Sequence, residues 1–164
     1  MIIVGYQGIG KSTLAGNNGC IDLESGNFWV DGKRDEDWYK IYANIAVHLS
    51  QQGYTVFTAS HKVVRDELKN CGEPVVVAYP SLDLETQWIE KLRTRYEYTN
   101  LEKDFKAWKN AEQMYKENIT DLMNEKDFYH LKISGMDYEL MQGIIAIKGA
   151  TNGNSNKGGL TLVI

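Results

Sequence analysis

The chain has 164 residues, 43% hydrophobic and 24% charged, with a formal net charge of −4. That length predicts one domain able to bury its own core without disulfide staples, and the acidic balance gives no overall positive field for nucleic acid or an anionic membrane. Cys20 and Cys71 match no metal spacing or disulfide framework, no apolar run approaches the length of a membrane span, and no basic-flanked leader opens the chain, so a cytoplasmic protein is expected.

Met1–Val4 is a β-branched apolar run ending at glycine and reads as a fully buried first strand. A glycine-rich turn, Gly5–Gly10, leads into a short helix from Lys11 to about Gly16. Asn17-Asn18-Gly19 is expected to close that helix in the left-handed conformation. Cys20–Leu23 reads as a second strand with an acidic end, and Ser25–Arg34 as a loop. Apolar residues at Trp38, Ile41, Tyr42, Ile45 and Leu49 predict a helix over 35–52, stopped by Gly53. Strands follow at 54–59, 74–79 and 129–133. Helices are expected over 61–70, 83–98, 102–124 and 137–145. Alternation of this kind predicts a parallel sheet with helices on both faces. The run 149–164, rich in Gly, Asn, Ser and Lys up to Gly159, reads as a flexible tail beyond a domain at 1–148, with Leu160–Ile164 apolar enough to dock.

One motif carries chemistry outright. Gly5-Tyr6-Gln7-Gly8-Ile9-Gly10-Lys11-Ser12 matches G-x-x-x-x-G-K-[ST] at every position, between a buried strand and a helix. Such a loop curls so that successive amides face an anion, which predicts that residues 5, 7–10, Lys11, Ser12 and Thr13 bind ATP or another nucleoside triphosphate. Lys11 would reach the β- and γ-phosphates, and Ser12 would ligate Mg²⁺.

Phosphoryl transfer also needs a carboxylate beside the metal. Asp22 and Glu24 are the candidates: one would steer the metal, with Asp22 as its ligand, and the other would accept a proton from the acceptor. The third strand ends Thr58-Ala59-Ser60-His61 without an acid, so Ser60 is left to bind the metal's water or cap the next helix, and His61 is the weaker base. Arginines provide forked donors for transition-state charge. Arg93, and beside it Arg95, are placed on a lid over the triphosphate, with Arg93 favoured. Arg34, in a loop near Trp29 and Trp38, is placed beside an acceptor pocket, Arg65 one turn into the helix after the third strand is a further candidate cation, and Phe28 and Trp29 are the aromatics expected to stack on a base.

The order of P-loop, short helix, Asp22-Leu23-Glu24, Ser60-His61-Lys62 with Arg65-Asp66, and Leu92-Arg93-x-Arg95 resembles the adenylate, gluconate and shikimate kinase branch of P-loop kinases. It is most similar to the small nucleotide kinases of bacteriophages. The resemblance spans about residues 1–145, and its P-loop is the specific part. It implies a three-layer α/β fold with a five-stranded parallel sheet in 2-3-1-4-5 order, an acceptor-binding segment after the second strand, an acceptor-side arginine at Arg65 and a lid bearing Arg93 and Arg95. The activity it implies is Mg²⁺-dependent transfer of the γ-phosphoryl group of ATP to a small phosphate acceptor, foremost a nucleoside monophosphate. A nucleoside, a sugar, a nucleic-acid end, or regulatory NTP hydrolysis without an acceptor stand as the alternatives.

Overall fold

β-branched runs bounded by glycine and proline become the centre of the sheet. The computed structural model describes residues 1–17, 19–151 and 159–164. In it β1 (Ile2–Gly5) lies between β3 (Thr55–Ala59) and β4 (Val75–Pro80), and every residue of β1 and β4 is buried. A strand covered on both faces has no solvent side, which is why these segments read as unbroken apolar runs.

β2 (Cys20–Asp22) extends the sheet on one flank, and β5 (Tyr129–Ile133) followed by β6 (Thr161–Val163) on the other. The sheet is parallel throughout, with helices on both faces and strand order β2-β3-β1-β4-β5-β6. Two expectations are corrected here. The sheet has six strands rather than five, and the chain's last residues are not a loose tail. Leu162 pairs with Leu131, while the Ile164 amide donates to the Lys132 carbonyl at 2.9 Å. The apolar spacing of Leu160, Leu162 and Ile164 allowed this docking, but the polar stretch before it hid the strand. The remainder of the expected tail, 152–158, lies outside the described residues, as does Asn18.

The helices are α1 (Lys11–Leu14), α2 (Trp38–Gln51), α3 (Lys62–Leu68), α4 (Glu85–Thr99), α5 (Glu102–Met123) and α6 (Leu140–Thr151). After the one-turn α1, left-handed backbone falls at Gly16 and Gly19. α6 runs six residues past its expected end at Ile145. It packs close to the sheet through Gly143, where a Cβ would sit 2.9 Å from Leu131 Cδ1 and 3.0 Å from Ile164 Cδ1.

α4 and α5 form an antiparallel hairpin in the crossover from β4 to β5, turning at Asn100 with φ 52°. Trp88 and Leu92 of α4, with Ala111, Tyr115, Ile119 and Leu122 of α5, bury its inner side. Tyr96, Phe105 and Trp108 pack where the two helices meet, with Tyr96 and Trp108 stacked at 5.8 Å. α5 is not one regular helix: Met114 has φ −133° and breaks it. Among the described residues no helix is long and apolar enough to cross a membrane.

Candidate functional site

Gly5 ends β1 opposite Ala59 and Ala78 of its two neighbours, so the chain leaves the sheet among small side chains. The strand order reverses here, and the crevice at the carboxyl ends of such strands is where parallel sheets bind ligands. The loop that follows is shaped by its glycines. Gly8 has φ 84° and Gly10 φ 101°, backbone that favours glycine. A Cβ on Gly8 would also lie 2.9 Å from Leu92 Cδ2, and one on Gly5 2.5 Å from Ile9 Cδ1.

Side chains from outside fix the loop's remaining polar groups. Trp88 Nε1 donates to the Gln7 carbonyl at 2.9 Å, and the Tyr138 hydroxyl donates to the Gly8 carbonyl at 3.3 Å. The Gln7 side chain, expected to contact nucleotide, instead reaches α5: its Nε2 donates to the Ala107 carbonyl at 2.7 Å and to Asn110 Oδ1 at 3.2 Å. The Ile9 side chain is buried in the core, leaving its amide for any anion. The amides of residues 8–12 donate to no backbone carbonyl of the described residues. Since α1 is a single turn, its dipole adds little, and these amides are what the loop offers a phosphate.

Lys11 folds back on the loop, its Nζ 3.0 Å from the Gly5 carbonyl and 3.3 Å from that of Tyr6. Burial lowers its pKa, partly opposed by Asp22 and Glu24, while Arg95 adds to the depression. Ser12 Oγ donates to Asp22 Oδ2 at 2.9 Å. Burial raises the Asp22 pKa, against the pull of Lys11 and the Ser12 hydrogen bond. Thr13 contributes its amide, which donates to the Gly10 carbonyl at 3.2 Å.

These residues open on a cleft of about 660 Å³, lined also by Glu24, Lys91, Arg95, Lys103 and Asp104. The donor set suits a triphosphate with a hard divalent ion. Among the described residues no three His, Cys, Asp or Glu gather into a metal site of their own. A hydroxyl and one carboxylate beside a phosphate cradle are what Mg²⁺ takes when it keeps its waters and binds through substrate oxygens.

The two arginines expected on a lid differ in their surroundings. Arg93 faces solvent, its Nε donating to Glu97 at 2.9 Å, and it lines neither cleft. Arg95 lines the P-loop cleft, ion-paired at 2.8 Å with the buried Asp104 of α5, and its Nε is buried with no hydrogen-bond partner. Residues two apart point to different faces of a helix. The signal that would have ranked them is the i, i+4 relation of Lys91 to Arg95, which puts both on the cleft side.

A second cleft of about 710 Å³ adjoins the first and shares Gln7, Glu24, Ser25 and Lys103 with it. Trp29, 54% exposed, lines it, and so does Arg34. The Arg34 guanidinium lies 4.1 Å from the Trp38 ring centroid and 4.9 Å from that of Trp29. Its Nη2 donates to the Ser25 carbonyl at 2.7 Å, but its Nε is buried without a partner. Phe28 is not available for stacking, being packed edge-on against Tyr42 at 5.3 Å and close to Trp38. Arg65 touches the same cleft, yet its donors are taken: Nε by Glu125 at 2.7 Å, Nη2 by Asp121 and Nη1 by the Ser60 carbonyl. It clamps α3 to the end of α5 rather than waiting for an acceptor.

Ser60 does not cap α3; His61 stands at that position, with no side-chain capping bond. His61 packs edge-on to Trp38, 3.5 Å from Ser25 Oγ, and burial lowers its pKa. Asn110 and Asn118, linked at 3.0 Å, complete a polar wall of the second cleft that no sequence motif announced. Glu24 stands between the clefts, 3.6 Å from Lys103.

No protein-family model, curated protein or solved structure matches this chain.

Proposed function

We propose that the protein is an ATP- and Mg²⁺-dependent phosphotransferase that moves the γ-phosphoryl group to a small acceptor, a nucleoside monophosphate. The observation that carries this reading is the pair of adjoining clefts, one built on the complete phosphate loop and the other joined to it through Gln7, Glu24, Ser25 and Lys103. A P-loop switch or simple hydrolase needs the first cleft only.

Residues 8–12 and Lys11 would hold the β- and γ-phosphates, and Ser12 with Asp22 would hold Mg²⁺. When bound, Mg-ATP supplies the phosphoryl group and the metal that screens its charge. Lys11 and Arg95 meet the charge that spreads over the equatorial oxygens, with the unpartnered Arg95 Nε free to donate. Arg34 is the acceptor-side cation, since it has an unpartnered Nε and a place between two indoles. A phosphate acceptor is nearly dianionic at neutral pH, so it needs such screening more than a base. A hydroxyl acceptor would need the proton taken by Glu24.

The test is turnover. Purified protein with Mg-ATP is offered nucleoside monophosphates, nucleosides, sugars and 5′-hydroxyl DNA ends, and ADP and phosphorylated product are measured together. Acceptor-dependent ADP with a nucleoside diphosphate product is expected. Lys11→Met should abolish it while the circular dichroism spectrum is unchanged. ADP formed at one rate whatever the acceptor would replace this reading with NTP hydrolysis.

A further inference from the structure

Beside the phosphate loop, the rings of Trp88 and Tyr138 stack with centroids 5.9 Å apart and planes at 23°. Both also fasten the loop, through the Gln7 and Gly8 carbonyls. The Lys91 ammonium rests on this pair, 4.3 Å from the Trp88 ring centroid and 4.9 Å from that of Tyr138, and donates to the Tyr138 hydroxyl at 2.9 Å. It lines the P-loop cleft. The one charge acting strongly on it is another cation, Arg95, one turn further along α4. Two like charges at i, i+4 weaken a helix. Here they converge on a single cleft that also contains Lys11.

We infer that Lys91 is a second phosphate-binding ammonium of this cleft, carried on the Trp88–Tyr138 stack so that it and Arg95 together grip the outer end of a bound polyphosphate. The inference rests on the nucleotide reading above. An aromatic face steadies a cation without neutralising it, whereas a carboxylate partner would have to be displaced before phosphate could bind. The Tyr138 hydroxyl accepts from Lys91 while donating to the Gly8 carbonyl, so the ammonium's position is tied to that of the loop.

A consequence follows for pH. Burial, with Arg95 adding to it, holds the free Lys91 down to about 8. The groups around it are Arg95 on α4, the Tyr138 hydroxyl, Lys11 on the loop, Asp22 and Glu24 at the end of β2, and Lys103 and Asp104 on α5. A polyanion in the cleft raises the pKa, so binding takes up a proton. Affinity is full below about pH 8 and falls above it, as the unliganded lysine loses its charge. Lys11 is also depressed, but it is present in every variant compared and cancels from the difference.

The full chain would be titrated calorimetrically with Mg²⁺ and a non-hydrolysable ATP analogue, and separately with inorganic tripolyphosphate, at pH 7, 8 and 9. Two buffers of different ionisation heat are used at each pH. Wild type is expected to take up about half a proton at pH 8 and to lose about tenfold in affinity between pH 7 and 9, beyond the change seen in Lys91→Arg. Lys91→Arg should bind with no such uptake, because its guanidinium stays charged. Lys91→Gln should bind about tenfold more weakly at pH 7 with either ligand, without the extra slope. Equal proton uptake and equal slopes in wild type and Lys91→Arg would overturn the assignment. So would a Lys91 effect on the ATP analogue that is absent with tripolyphosphate. If neither ligand binds wild type at any pH, the nucleotide reading itself falls, and this inference with it.

Discussion

Asp22 shows how one residue is set between stability and use. Its carboxyl lies in a partly desolvated place, and its folded pKa lies above the ordinary value of 3.8. A carboxyl raised on folding binds its proton more tightly in the folded state. The stability this brings is complete below 3.8 and is lost as pH rises through the folded value. At pH 7 the native protein therefore bears a cost that Asp22→Asn removes. The variant is expected to melt higher than wild type at pH 7, with the gap closing as pH approaches 3.8, and to lose about a hundredfold in Mg-dependent turnover. A melting temperature below wild type at pH 7 would mean that the attraction of Lys11 outweighs desolvation. At this scale the glycine-shaped turn between β1 and α1 and the acidic end of β2 were legible, because residue type and spacing suffice for them, whereas the Ser12–Asp22 hydrogen bond was not. Arg65 was not, because its ion partners Asp121 and Glu125 lie more than fifty positions away.

Among the elements, α6 and β6 were the least readable, and α6 comes close to the sheet's edge at a glycine. Gly143 is buried on α6 where the helix presses on Leu131 and Ile164. A methyl there must push against Leu131 of β5 and against Ile164, which follows β6, and overpacking of this sort costs about 1–3 kcal/mol, more than the helix gains from alanine. Gly143→Ala is expected to lower the midpoint of thermal unfolding by several degrees. An unchanged midpoint would show that β6 moves aside without loss. α4 carries a different lesson. A helix was expected over 83–98, but which of its cations meets the cleft followed from its rotation, set by Trp88 and Leu92 seating under the loop. A helix with several charged faces does not declare its rotation in sequence.

For the whole molecule, the two clefts lie between the carboxyl ends of the strands and the α4–α5 hairpin, joined where Gln7 meets α5. A ligand that binds there, and not to the unfolded chain, stabilises the folded state by mass action. Mg-ATP at a hundred times its dissociation constant should add about 2.7 kcal/mol, raising the melting temperature by about 5–10 °C. Lys11→Met should show little of this shift. An equal shift in wild type and variant would place the nucleotide elsewhere on the surface.

Local signals settled a good deal without coordinates. β-branched runs bounded by glycine fixed the inner strands, 3.6-residue spacing fixed the long helices, and the glycine spacing of residues 5–10 placed a tight turn between β1 and α1. Each depends on neighbours within a turn or a strand, which the chain carries with it. The sixth strand, the facing of Arg95 rather than Arg93 onto the cleft, the packing of Phe28 and Arg65, and the Lys91 platform were decided by tertiary structure alone. Each depends on which distant group comes to lie opposite, and burial, charge pairing and helix rotation choose that partner only once the core has closed.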